Sequence, residues 1–185
     1  MSKRYLSEAD QITYELALKL PKNVELGTMI SPLRGLIVYV CVRILKPDLM
    51  VETGVASGSS SAYILHAMEL NRKGFLYSID LPNAATGASL PEGKQTGWLV
   101  PHQLRHRWKL IFGRSQGKLP ILLKELGSID AFLHDSEHTY EIMYFEYQTA
   151  WKHLRSGGLL LSDDVHWNKA LQDFVKNSSE AMDYF

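Results

Sequence analysis

Cysteine is nearly absent. Cys41 is the only one in 185 residues, so no internal disulfide can form and a four-cysteine zinc site is excluded. Net charge is absent as well, with 20 Lys and Arg against 20 Asp and Glu. Wholesale binding to nucleic acid or to an anionic membrane needs a basic excess, and none is present. Long apolar runs are missing too. The most apolar stretch, Leu36 to Val42, is closed in by Arg34 and Arg43 and is far short of the ~20 residues of a membrane helix. Cys41 lies inside that stretch and reads as a small core residue. The opening MSKRYLSEADQ carries Lys3 and Arg4 but no apolar signal-peptide core. These absences predict a cytoplasmic protein with no membrane and no nucleic-acid partner.

What is present is an ordinary globular balance, 45% apolar and 22% charged, in a length that suits one domain, residues 1–185. Strand-like apolar runs recur at Leu49–Thr53, 75–79, 109–112, 131–133 and 159–161. They are continuous rather than alternating, as in strands buried on both faces. Helical spacing fills the intervals: 7–20 with Ser7 as N-cap, 31–45 opened by Ser31-Pro32, then 59–71, 117–126, 140–154 and 169–176. Strand and helix in alternation predict an α/β domain, doubly wound, with a mainly parallel sheet and helices on both faces. Residues 47–185 would form its core, and 1–46 a helical lid or dimer contact. The one long loop, 82–106, has the length of a lid or binding loop.

Ligands of open parallel sheets bind beyond the carboxyl ends of the strands. Those ends read Glu52-Thr53-Gly54 then VASGSS, Asp80, Gly113-Arg114-Ser115-Gln116, His134-Asp135-Ser136-Glu137-His138, and Ser162-Asp163-Asp164-Val165-His166. The glycine loop fails the dinucleotide fingerprint, since Ala56 and Ser59 stand at its second and third glycine positions. It also lacks the P-loop lysine and the nucleophile elbow. What remains is an acid and a Gly54-x-x-x-Gly58 turn opening a helix, either a tight turn or a close approach to a ligand. Asp80 either caps a turn or holds the paired hydroxyls of a ribose. Asp135, Asp163 and Asp164 either cap helices or share a hard divalent cation. His134 and His138 have zinc-pair spacing, but the segment starts at a strand end rather than on a helix. From His102 to Lys118 there are five Lys or Arg and no acid, which is either a solvated edge or a site for an anionic substrate.

In their order these segments resemble one family. VETGVASGSSSAYIL is similar to motif I of class I S-adenosylmethionine-dependent methyltransferases, and YSID to the ribose-binding strand of that Rossmann-like fold. FGRSQG resembles the adenine-contacting turn of catechol-type O-methyltransferases. DSEHTYE and SGGLLLSDDVHW resemble the paired metal motifs of macrocin-type O-methyltransferases, and the resemblance runs from about Met29 to Trp167. It implies S-adenosylmethionine as cofactor. Glu52, Gly54 and Gly58 would cradle its methionine end and Ser60 would bond near its carboxylate. Asp80 would hold the ribose, and Ser115 and Gln116 would flank the adenine, with Asp135 completing the set. It further implies a divalent cation, magnesium, on Asp135, Asp163 and Asp164, lowering the pKa of a hydroxyl on a small-molecule acceptor.

The general base would be His166 first and His138 second, each otherwise a surface or capping residue, with Asp135 beside them. His134 departs from the pattern, which has an apolar residue there. The family's closing antiparallel hairpin is expected to be missing or incomplete, because 177–185 leaves room for one poor strand. A homodimer would then cover an exposed edge. Two other functions fit the same residues: a non-catalytic S-adenosylmethionine-binding or assembly protein, and a metal-dependent hydrolase.

Overall fold

The structure is a computed structural model that describes residues 3–20, 31–82 and 90–182. Its elements are α1 (Lys3–Lys19), α2 (Pro32–Leu45), β1 (Leu49–Thr53), α3 (Ser59–Asn71) and β2 (Phe75–Asp80). A 3₁₀ turn (His102–Arg107), β3 (Trp108–Phe112), α4 (Ser115–Leu126), β4 (Ile129–His134), α5 (Tyr140–Trp151), β5 (Leu154–Ser162) and α6 (Ala170–Met182) follow. The five strands lie in the order β3-β2-β1-β4-β5, and every pairing is parallel. The winding reverses between β1 and β4, the switch point at which such sheets bind ligands.

Alternation along the strands splits the core in two. Met50, Leu76, Ala131 and Leu133 pack with α1, α2 and α3. Val51, Ile79 and Phe132 face the other way, against Leu119, Leu122 and Leu123 of α4 and Ala150 of α5. Helix α6 adds Ala170 and Phe174 to Met143 and Tyr147 of α5. The N-terminal helices belong to the first of these cores. Ile12 and Leu16 of α1 are buried, each contributing roughly 1.5–3 kcal/mol. Glu8 accepts hydrogen bonds from Tyr39 (2.5 Å) and Arg43 (3.2 Å) of α2. At the lower edge Asp130 accepts the backbone N–H groups of Asp48 and Leu49 and pairs with Arg155, tying the starts of β1, β4 and β5.

Several sequence-based boundaries move. Helix α1 begins at Lys3, so Ser7 lies inside it instead of capping it. Helix α2 keeps its predicted start, with Ser31 accepting the Arg34 N–H. Helix α4 begins at Ser115. Helix α5 stops at Trp151 because Leu154 already pairs with Ile129 in the sheet, and the register then skips to Ala131 opposite Leu159. Gly157, at φ 72°, turns the chain through that irregularity. Residues 177–182, where the sequence left room for one poor strand at best, continue α6, which runs to Met182 with an amphipathic pattern. Among the described residues the sheet has no antiparallel strand. Part of the predicted loop, 83–89, lies outside the described residues. Among the described residues no helix is long and apolar enough to cross a membrane.

Candidate active site

Backbone hydrogen bonds draw the strand ends into one row. Gly113 N–H donates to Asp80, Gly54 N–H to Ile79, Asp135 N–H to Thr53 and Asp163 N–H to His134, each at 2.8–2.9 Å. The parallel register therefore brings the sequence-predicted residues of all five ends to one edge.

The glycine loop occupies the β1–β2 half of that edge. Gly54 has φ 84°, and a Cβ there would stand 1.9 Å from the Asp135 carbonyl oxygen. Only glycine fits. At Gly58 (φ 86°) a Cβ would meet the Cα of Gly97 at 2.8 Å, where the 96–100 segment is bonded to the loop through Gly97 N–H to Ala56 and Leu99 N–H to Ser57. Asp80 braces the loop from β2. One of its oxygens accepts Val55 N–H (3.0 Å) and Ala56 N–H (2.8 Å), and the other accepts Leu81 N–H (2.7 Å). Burial pushes the Asp80 carboxyl up, and these three bonds hold it back only in part.

Glu52 and Ser60 are bonded to each other beneath the loop. Glu52 is fully buried, accepting Ser60 (2.5 Å), Ser61 (2.6 Å) and Ser78 (2.7 Å) hydroxyls. Ser78 in turn accepts Trp108 Nε1–H at 2.9 Å. Burial raises the Glu52 carboxyl, and the three hydroxyls partly offset it. Glu52 and Ser60, both buried, thus anchor the first turn of α3 to the end of β1. Ser115 and Gln116 lie at the start of α4 as predicted. Gln116 is exposed, whereas Ser115 lies close enough to the Glu146 carboxylate to help lower its pKa.

That carboxylate is one the sequence reading missed. Glu146 of α5 is fully buried and accepts His134 Nδ1 at 2.6 Å, Thr53 Oγ1 at 2.5 Å and Ser136 Oγ at 2.8 Å. Burial opposes its charge, but His134 and the hydroxyls outweigh burial and hold the carboxyl below its ordinary value. A signal was present: Met143, Glu146, Tyr147 and Ala150 follow helical spacing on the buried face of α5, so Glu146 breaks an apolar stripe. His134, the departure from the family pattern, is the partner that accounts for it.

The β4–β5 half holds the three aspartates. Asp135 is raised well above the carboxylate range, first by burial and then by Asp163, Glu52 and Asp164. Arg34, from the first turn of α2, reaches across with Nη1 2.7 Å from Asp163 and 3.0 Å from Asp164. His138 is half-buried, with Nε2 3.9 Å from Asp164 and its ring against Trp167, centroids 5.1 Å apart. Burial and the neighbouring His134 lower its pKa, and its Nε2 has no hydrogen-bond partner among the described residues. His166, the first choice by sequence, is exposed.

The donor chemistry of the aspartates suits magnesium, but their arrangement does not. A guanidinium already sits on two of the three carboxylates. Among the described residues no three His, Cys, Asp or Glu side chains are grouped to hold a metal ion. A zinc pair at His134 and His138 lacks further ligands, since among the described residues no third His, Cys, Asp or Glu is grouped with them to hold a metal ion.

The basic stretch 102–118 is mostly used internally. Arg107 pairs with Glu69 at 2.7 Å, Arg105 donates to the Gly97 carbonyl at 3.0 Å and Lys109 lies over the Tyr77 ring. Its start borders a cleft of about 450 Å³ shared with Lys19, Lys94 and Trp98.

A parallel sheet wound both ways, with a glycine turn after its first strand and an acid ending its second, defines an α/β domain built to hold a nucleoside cofactor. Residues 51–165, well over half of the chain, match the Methyltransf_24 family, described as a methyltransferase domain, and the chain belongs to that family. Solved structures share the fold. The SAH-bound Podospora anserina methyltransferase PaMTH1 is 17% identical, with a TM-score of 0.60 over 99% of this chain and 80% of that one. The Bacillus cereus O-methyltransferase in complex with SAH is 14% identical, with a TM-score of 0.59 over 92% and 76%. The O-methyltransferase TomG from Streptomyces achromogenes, involved in tomaymycin synthesis and solved with SAM, is 18% identical, with a TM-score of 0.59 over 97% and 78%. A search of curated proteins finds no match.

Proposed function

We propose that this protein transfers the methyl group of S-adenosylmethionine to an oxygen of a small hydroxylated acceptor. One observation carries the reading: the braced glycine loop lies against the end of β4, with Gly54 on the Asp135 carbonyl, and the half-buried His138 follows Asp135 three residues on, beside Asp164. The loop of residues 54–58 and the first turn of α3 offer backbone N–H groups to the cofactor's carboxylate end. Asp80 has acceptor capacity left on the oxygen that takes only Leu81 N–H, enough for a ribose hydroxyl.

In the reaction the acceptor oxygen attacks the methyl carbon. The O–CH₃ bond forms, the S–CH₃ bond breaks with its electron pair going to sulfur, and S-adenosylhomocysteine leaves. The acceptor's proton goes to His138 Nε2. Burial and His134 favour the neutral form of that nitrogen, and no hydrogen bond from the described residues occupies it. It is shielded from solvent, so the acceptor reaches it only once the side chains covering it move aside. His166 is too exposed to be held in one position, so His138 replaces it as first choice. Magnesium assistance, implied by the resemblance, has no step here, because Arg34 occupies the carboxylates that would bind the ion.

The experiment is transfer of labelled methyl from S-adenosylmethionine to a panel of catechols, phenols and sugar diols. Label in at least one O-methyl product, lost in His138→Gln, is the expected result. Tight cofactor binding without product on any acceptor would replace the reading with that of a non-catalytic cofactor-binding protein.

A further inference from the structure

Arg34 reaches the acid end of the sheet from α2, a helix that otherwise packs into the first core. Its Nη1 bridges two carboxylates on adjacent residues, at 2.7 and 3.0 Å. The Asp163 and Asp164 side chains are only 15% and 17% exposed, against 43% for Arg34, so the guanidinium closes over them from the solvent side. The bridge is prepared from both directions. Ser31 caps the turn of α2 that carries Arg34. Asp164 adopts a left-handed backbone (φ 46°), and the bond from Asp163 N–H to His134 fixes the pair to the end of β4.

We propose that Arg34 is the built-in counter-cation of the Asp163–Asp164 pair, standing in place of a divalent metal, so that methyl transfer here runs without a bound metal ion. The proposal rests on the methyltransferase reading above. Geometry and charge carry it. A divalent ion needs lone pairs of several converging oxygens, and Arg34 Nη1 sits where oxygens of the two more accessible aspartates converge, within 2.7 and 3.0 Å of them. A guanidinium cannot be removed by deprotonation, so the bridge persists across the working pH range. Arg34 is a positioning residue: it fixes the acid pair beside His138, 3.9 Å from Asp164, and does not itself exchange a proton. The pairing also gives α2 a purpose at the site, because any opening of the N-terminal helices would expose the carboxylates.

The test is Mn²⁺ titration of the full chain followed by paramagnetic resonance, with thermal unfolding and methyl transfer measured with and without EDTA. Wild type should show no saturable Mn²⁺ uptake, and EDTA should leave both its unfolding temperature and its turnover unchanged. Removing the cation in Arg34→Gln should raise Mn²⁺ affinity at least about tenfold, since a like charge a few ångströms away opposes the ion. Asp163→Asn in that background should abolish the gain, and Arg34→Lys should keep the wild-type indifference to metal. One tightly bound Mn²⁺ in wild type, or EDTA-sensitive turnover, would overturn the proposal. If Arg34→Gln does not fold, the wild-type and Arg34→Lys arms decide alone. S-adenosylhomocysteine binding, measured in parallel, reports on the methyltransferase reading separately. Its loss would sink that reading, while Mn²⁺ uptake would still decide whether Arg34 excludes a metal.

Discussion

The two halves of the ligand edge solve one problem, the burial of carboxylates, in opposite ways. On the β1–β2 side Glu52 and Asp80 are satisfied by neutral donors: three serine hydroxyls for one, three backbone N–H groups for the other. No cation among the described residues pairs with either of them. On the β4–β5 side the aspartates and Glu146 meet Arg34, His134 and His138. Neutral donors fixed in the backbone, on α3 and on β2 make a rigid cradle, as a cofactor site requires. Charged partners on α2 and in the 134–138 turn make a half that answers to protonation and substitution. On the proposed function the difference separates a half that binds the cofactor from a half that carries the reaction.

The largest expected effect falls on the neutral half. Glu52→Ala leaves three buried hydroxyls without an acceptor and should cost roughly 3–6 kcal/mol of stability, measured by urea unfolding. Glu52→Gln, which keeps an acceptor oxygen, should cost far less. If the two variants lose the same stability, Glu52 is a packing residue and the contrast between the halves fails.

In the reacting half, His138→Gln should lower kcat by about 10²–10⁴-fold with S-adenosylhomocysteine affinity unchanged. His166→Gln should leave kcat near wild type. A reversal of those two outcomes would move the base onto the exposed turn and restore the sequence-based order. Next in size, Gly54→Ala should cost about 2–3 kcal/mol through clash and strained backbone. Its cofactor affinity should fall while the Arg34–Asp163 bridge persists.

The smallest effect is a difference in sign with pH. Glu146 sits below its ordinary value of 4.5, so its contribution to stability is present above that value and lost as pH falls through the lower folded one. Glu52 sits above the same value, so its contribution is present below 4.5 and lost as pH rises through the higher folded one. Urea midpoints against pH should therefore lose an acid-side slope in Glu146→Gln and a neutral-side slope in Glu52→Gln. Equal slopes in the two variants would show that the halves are held alike.

The neutral half was largely legible in the sequence, because its parts are local. Gly54, Gly58 and Asp80 lie at strand ends marked by apolar runs, and Glu52 meets serines 8 and 9 residues away. Even there spacing did not show that Glu52 is buried on the hydroxyls of Ser60, Ser61 and Ser78; the roles of Glu52 and Ser60 toward a ligand came only from the resemblance. The charged half was legible only as a set of acids. Arg34 meets Asp163 across 129 residues and Thr53 meets Glu146 across 93. Such pairings follow from how α2 and α5 dock on the sheet, which no local pattern states. The second half of helix α6 is hidden for a similar reason. Its continuation past Lys176 follows from the amphipathic pattern of the whole helix, not from the polar segment Asn177-Ser178-Ser179-Glu180 taken alone.

The most direct test of the methyltransferase reading is calorimetric titration of the full chain with S-adenosylhomocysteine. The account predicts saturable binding at one site per chain, weakened in Gly54→Ala and unchanged in His138→Gln. Wild-type protein that is folded and shows no binding would contradict it.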